Sequence, residues 1–188
     1  MSDADQSRLQ GVVKAVSLSA SHRFSKSPQM SIRLKAGHGV EGDCHAGRTV
    51  KHRSRVRKDP TQPNLRQVHL LHQELLDWLQ GEGHQINPGD IGENILTTGI
   101  DLLTLPTDAR LSFPSGAIIR ITGLRNPCIQ LNRFSPGLMD ALITRAPDGS
   151  LIRKGGIMAV VEQGGDILPG DAIEVTLPDG QLRRLEPV

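Results

Sequence analysis

Short runs of apolar residues, most of them four to seven long and bounded by Gly, Pro, Asp or Ser, recur along most of the chain. Val12, Val13, Ala15, Val16 and Leu18 predict a strand that ends in the polar stretch from Ser19 to Ser27. Ile32, Leu34 and Ala36 alternate with polar residues, as a half-buried strand does. Val68, Leu70 and Leu71 predict a short strand, whereas Leu71, Leu75, Leu76 and Leu79 fall on one helical face until Gly81 and Gly83 end the pattern, so the main helix is expected over 72–80. Strands are expected at 95–98, 109–113, 117–122, 157–162 and 172–177, with Pro114-Ser115-Gly116 turning a hairpin between Phe113 and Ala117. A second helix is expected where Pro136 precedes the stripe Leu138, Met139, Leu142 and Ile143. Many short strands with two modest helices predict a mainly β protein, a closed or nearly closed β-barrel. Residues 1–10 read as a loose leader and 11–188 as one domain without internal repeats.

Composition narrows this picture. A chain of 188 residues has the size of one domain and buries enough surface for a real core. Aromatic residues make up only 2%, so the core must be aliphatic, and a base-stacking platform for single-stranded nucleic acid is disfavoured. Twenty Gly and twelve Pro argue against a long-helix bundle or coiled coil. The net charge of +2 is too mild to imply nucleic acid or a membrane as partner. The first residues are acidic and polar rather than signal-like, and no apolar run approaches the ~20 residues of a membrane span, so a cytoplasmic location is expected. In a reducing compartment the two cysteines, Cys44 and Cys128, are each a small buried residue or a reactive thiol.

Local chemistry concentrates in a few places. Arg125-Asn126-Pro127-Cys128 lies in the loop beyond an expected strand, where a scaffold displays functional groups and a guanidinium favours thiolate. A merely buried cysteine is the competing reading. Gly92-Glu93-Asn94 sets a carboxylate and a carboxamide at a strand entrance, or is an ordinary turn. The Gly-rich segment 37–47 predicts a shaped loop, and its His38, Cys44 and His45 show neither C-x-x-C nor H-x-x-x-H spacing, so structural zinc gains no support. Six of the eleven residues from Arg48 to Lys58 are Arg or Lys, with Pro60 and Pro63 beyond; this reads as an exposed loop, either a phosphate-binding patch or a solvated surface. There is no Walker loop, no G-x-G-x-x-G and no G-x-S-x-G elbow.

Taken in order, G-V-E-G-D-C-H-A-G at 39–47, G-D-I-G-E-N-I at 89–95, T-G-L-R-N-P-C at 122–128 and G-G-D-I-L-P-G-D at 164–171 resemble the MOSC family, named for the C-terminal domain of molybdenum cofactor sulfurase, and in particular its small stand-alone members. The resemblance implies a β-barrel with a site centred on one cysteine, here Cys128. Its members carry sulfur on that cysteine as a persulfide or bind molybdenum cofactor (molybdopterin) with the thiolate ligating the metal, and some reduce N-hydroxylated compounds. Either role suits a soft thiolate. The resemblance thus makes Cys128 the catalytic residue and the ligand to molybdenum, with Arg125 lowering its pKa and Glu93 and Asn94 orienting the pterin. Arg48, Arg125 and Lys154 are the candidates for the phosphate, and His45 and Asn126 complete the expected cofactor-binding set.

Two departures stand out: Cys44 replaces a residue that is often basic in the family, and Lys154 replaces an Arg, keeping charge but losing bidentate geometry. A small-molecule substrate is expected. A reductase would need a separate electron donor, because no flavin, haem or iron–sulfur signature is present. A sulfur carrier would need a cysteine desulfurase. The alternative from another class is a basic-loop module binding RNA or another polyanion through Arg53, Arg55 and Arg57.

Overall fold

The computed structural model describes residues 10–188, without the side chains of Arg53 and Ser54. The chain opens with β1 (Gln10–Leu18), β2 (Ser27–Gln29), β3 (Ile32–Lys35) and β4 (Gly39–Val40), then α1 (Arg53–Lys58), β5 (Val68–His72) and α2 (Gln73–Gly81). It continues through β6 (Ile95–Thr98), β7 (Arg110–Ser112) and β8 (Ile118–Leu124) to α3 (Gln130–Phe134) and α4 (Leu138–Leu142). It ends with β9 (Ile143–Arg145), β10 (Leu151–Arg153), β11 (Ile157–Gln163), β12 (Gly165–Ile167) and β13 (Ala172–Thr176).

Seven strands form a closed ring in the order β13-β7-β8-β11-β5-β6-β1, which β1 closes by pairing with β13, and β2 extends β1 on one side. All ring pairs are antiparallel except β5–β6, where α2 supplies the crossover between parallel neighbours. The expected barrel is thus observed. Closure leaves few strand edges unpaired.

Alternation explains how the ring is filled. Along β8 the burial pattern is strictly two-fold, with Ile119 and Ile121 turned inward to meet Val13, Leu70, Ile95, Ile157 and Ile173. β5 is different: Val68 to Leu71 are all buried, because Leu70 joins the interior while Leu71 packs outside with Leu75, Leu76 and Leu79 of α2 and Leu131, Leu138 and Leu142 of α3 and α4. A strand covered on both faces can hold a polar residue on its outer face beneath the covering elements, and His69 occupies that place.

Several expectations need correction. The basic segment read as a loop contains α1 at 53–58, a helix without an apolar stripe. The second helix stops at Leu142, and Ile143 already belongs to β9, which pairs with β10 as a hairpin. The expected leader lies outside the described residues, apart from Gln10, which begins β1. The Phe113–Ala117 hairpin is present, with Phe113 N–H donating to the Ala117 carbonyl at 3.0 Å. Among the described residues no helix is long and apolar enough to cross a membrane.

Candidate functional site

On the outer face of β5 and β11 lies a cavity of about 730 Å³. His69 and Met158 form part of its wall, the residues before and after the start of α1 cover it, and the loop after β8 brings in Arg125, Asn126 and Cys128. The loop between β1 and β2 adds Arg23, Phe24 and Lys26. Among the described residues six cationic side chains line it, those of Arg23, Lys26, Lys51, Arg55, Arg66 and Arg125, and no Asp or Glu does. Lys26 is paired with Asp43 behind the wall, but the like charges of the others raise one another's energy, so the cavity as a whole favours an anion.

The guanidinium of Arg125 is the clearest sign. Its Nη1 is buried without a hydrogen-bond partner, and burial lowers its pKa, while the Cys128 sulfur and the Glu93 carboxylate favour its charge. Arg66 is pushed down to about 10 by burial and by Arg55 and Arg125. Cys128 is partly accessible and meets Gln130 Oε1 at 3.6 Å. Burial and the neighbouring Asp43 both push the Cys44 thiol up.

The other expected residues divide into two groups. Asn126 lines the cavity, its Oδ1 accepting from Arg153 Nε at 3.0 Å, and His45 lines it too. Asn94 lines it, but its amide is spent on the protein: Oδ1 accepts from His69 N–H at 3.2 Å, and Nδ2 donates to Ser17 O and Asp43 Oδ2, each at 3.1 Å. It positions strands rather than a ligand. Glu93 stands behind the wall, 1% exposed, with Oε1 accepting from Gly89 N–H and Oε2 without a hydrogen bond, and burial raises its pKa. Arg48 is exposed outside the cavity wall, and Lys154 lies over the Trp78 ring at 4.4 Å, so neither side chain joins the basic lining.

Sequence reasoning missed Lys26, Arg66 and His69. Lys26 and Asp43 form a buried ion pair at 2.7 Å, with side chains only 4% and 2% exposed. Burial alone would raise the Asp43 carboxyl, but hydrogen bonds from His45 and the charge of Lys26 hold it well below the usual range. His69 Nε2 lies 2.9 Å from the Gly155 carbonyl, and because a carbonyl only accepts, Nε2 carries the proton. Burial and Arg125 push its pKa down to about 3, which keeps the ring neutral and adds no further cation to the cavity.

A pH dependence follows. Between pH 6.5 and about 3 the unfolded chain protonates this imidazole while the folded one resists, so stability falls with acidification by up to about 1.4 kcal/mol per pH unit. Urea midpoints measured at pH 6.5 and 5 should therefore show the wild type losing about 2 kcal/mol more than His69→Gln, which keeps a donor for the carbonyl. Parallel losses in the two proteins would contradict the buried neutral ring.

A family model described as MOSC domain matches residues 41–174. YuaD of Bacillus subtilis (strain 168), provisionally named for metal-sulfur cluster biosynthesis, is 31% identical over 159 residues, covering 78% of this chain and 80% of that protein. The crystal structure of YuaD from Bacillus subtilis superposes with a TM-score of 0.73 at 27% identity, over 89% of this chain and 96% of the other. YiiM from Escherichia coli shares the fold with a TM-score of 0.61 at 18% identity, over 93% and 73% of the two chains.

Proposed function

This chain belongs to the MOSC domain family, and from that premise we propose that its cavity holds molybdenum cofactor with the Cys128 thiolate as ligand to the metal. The observation that carries this reading is the pairing of an accessible thiol with an acid-free cavity lined by six Arg and Lys side chains. The donor set fits the group: a soft sulfur for the metal, and guanidinium and ammonium groups for a phosphate dianion. The orphaned Nη1 of Arg125 offers a buried donor for an anion, and Arg55, Arg66 and Lys51 stand on the same cavity for the phosphate. When bound, the cofactor supplies a redox-active metal, with N-hydroxylated compounds as the substrate class.

The chain's own residues then have defined tasks. Cys128 would ligate as the thiolate, and the buried guanidinium of Arg125 stands on the same cavity. His69 stays neutral, so it shapes the wall without competing for the anion. Phe24, Ile91 and Met158 add apolar surface to the cavity lining, which strengthens charge contacts made beside it. Electrons come from a separate donor.

A specific observation favours sulfur handling as the second reading: the YuaD relative is provisionally named for metal-sulfur cluster biosynthesis, and a half-buried thiol among cations also suits a persulfide fed by a cysteine desulfurase. One preparation separates the two. Protein purified anaerobically from a cofactor-producing host should contain about one molybdenum and one pterin per chain, and Cys128→Ala should lose the metal. Full molybdenum in Cys128→Ala would refute thiolate ligation. No molybdenum, with an added sulfur on Cys128 by mass spectrometry, would establish the carrier.

A further inference from the structure

Outside the Cys128 loop, the fold brings His22 to the adjacent pair Cys44-His45, three metal-ligating side chains in all. His22 comes from the connection between β1 and β2, and Cys44 and His45 from the loop after β4. One ligand atom from each lies within 4.8 Å of the other two. The edges of a tetrahedral zinc set with one sulfur and two nitrogens are about 3.3–3.6 Å, so small rotations of the exposed His22 and of Cys44 bring the three donors to one centre.

A second feature is independent of that proximity. Each imidazole already has one ring nitrogen engaged by an oxygen that can only accept. His22 Nε2 lies 3.1 Å from the Lys51 carbonyl, and His45 Nδ1 lies 3.2 Å both from Asp43 Oδ1, a buried carboxylate that Lys26 anchors, and from Cys44 Sγ. The Lys51 contact fixes the proton of His22 on Nε2 and leaves its Nδ1 lone pair available, while the Cys44 sulfur already faces the second ring. This is how ligating histidines are oriented by carbonyl and carboxylate partners around metals. The two rings also meet edge to face, 5.3 Å apart between centroids, so they are mutually placed before any ion arrives.

We propose that His22, Cys44 and His45 form a site for a borderline-soft divalent ion such as Zn²⁺, distinct from the Cys128 thiol. Binding replaces the Cys44 S–H bond with a sulfur–metal bond and releases one proton. Three protein ligands leave a fourth position open, the arrangement of zinc sites that bind water or a small ligand. His45 itself lines the cavity, so the ion stands at its wall. The site requires a thiol at position 44.

Cobalt(II) is the probe, titrated anaerobically into untagged, chelator-treated full-length protein. The expected result is one equivalent bound with thiolate-to-metal charge-transfer absorption, displaced by Zn²⁺. Cys44→Ala should abolish the charge-transfer band, and His22→Ala, a change at an exposed residue that cannot unfold the barrel, should weaken binding by at least about 100-fold. Cys128→Ala should bind cobalt as the wild type does. Loss of the band in Cys128→Ala with retention in Cys44→Ala would overturn the assignment, as would the absence of any charge-transfer band in the wild type. Because the readout is metal absorption and the deciding variants differ, failure here leaves the Cys128 reading untouched, and failure of that reading leaves this one standing.

Discussion

Asp43→Asn is expected to destabilise the protein by about 3–5 kcal/mol at neutral pH, the cost of leaving one member of a buried ion pair without its counterion. The carboxylate is the hub of its loop. Oδ2 takes Lys26 Nζ at 2.7 Å, Asn94 Nδ2 at 3.1 Å and Ser19 N–H at 3.3 Å, while Oδ1 takes His45 N–H at 2.9 Å and the His45 ring at 3.2 Å. Asparagine keeps the size but loses the charge, and its amide end would present donors to donors. Lys26→Met should cost less, because Asp43 retains its other partners. The sign with pH is fixed: the folded pKa of Asp43 lies below its ordinary value, so its contribution is fully present above about pH 4 and is lost as pH falls through the folded value. Urea denaturation from pH 7 to 3 should therefore show the gap between wild type and Asp43→Asn narrowing below about pH 4. A constant gap would show that the pair's charge is not what stabilises the loop.

Gly156→Ala should cost more than about 3 kcal/mol, whereas Gly149→Ala should cost only about 1–2 kcal/mol. The two glycines have nearly the same backbone twist, φ +87° and φ +83°. They differ in surroundings. A methyl at Gly156 would press into the Leu70 carbonyl oxygen and meet Leu71 Cδ2 at 2.8 Å and His69 Nε2 at 3.0 Å, while nothing lies within 4 Å of one at Gly149. The carbonyl belongs to β5, which is hydrogen-bonded between β6 and β11 and cannot retreat without opening the ring. Calorimetric or denaturant stabilities of the two variants separate the twist penalty from the collision. Equal losses would mean that β5 yields to the methyl.

The ring strands were legible because short alternating runs bounded by Gly, Pro and Asp leave few other ways to bury one face. The place of Cys128 in a loop beyond a strand was legible because the apolar run before it ends at Thr122. α1 was not, since six residues with only Val56 apolar carry no periodic stripe, and α3 is too short to display one. Cation identity misled in a particular way: Lys154 has the right charge but turns to Trp78, and Arg48 turns outward, while Arg66 and Lys26 reach the cavity from segments that looked unremarkable. His69 was hidden in an apolar strand whose outer face is covered only after α2 and the loop following β8 are in place. His22 and the 44–45 pair meet only through tertiary structure, so spacing within the sequence could not pair them.

Closing the ring with its outermost strands also sets a schedule for synthesis. Gln10, Gly11 and Val12 of β1 pair with Glu174, Ile173 and Ala172 of β13, about 160 residues later. At the usual 5–20 residues per second a ribosome delivers those partners roughly 8–30 s after the first strand is made. Throughout that interval one end of β1 presents unsatisfied amides and carbonyls, and the aliphatic interior lacks its final wall. β2, which pairs Leu18, Ser17 and Val16, emerges almost at once, so the far end of the same strand is shielded early while its beginning waits for the last piece of the barrel. The nascent chain is therefore most open to mispairing with a neighbour at Gln10 to Val12, although the finished protein hides that stretch inside a continuous sheet.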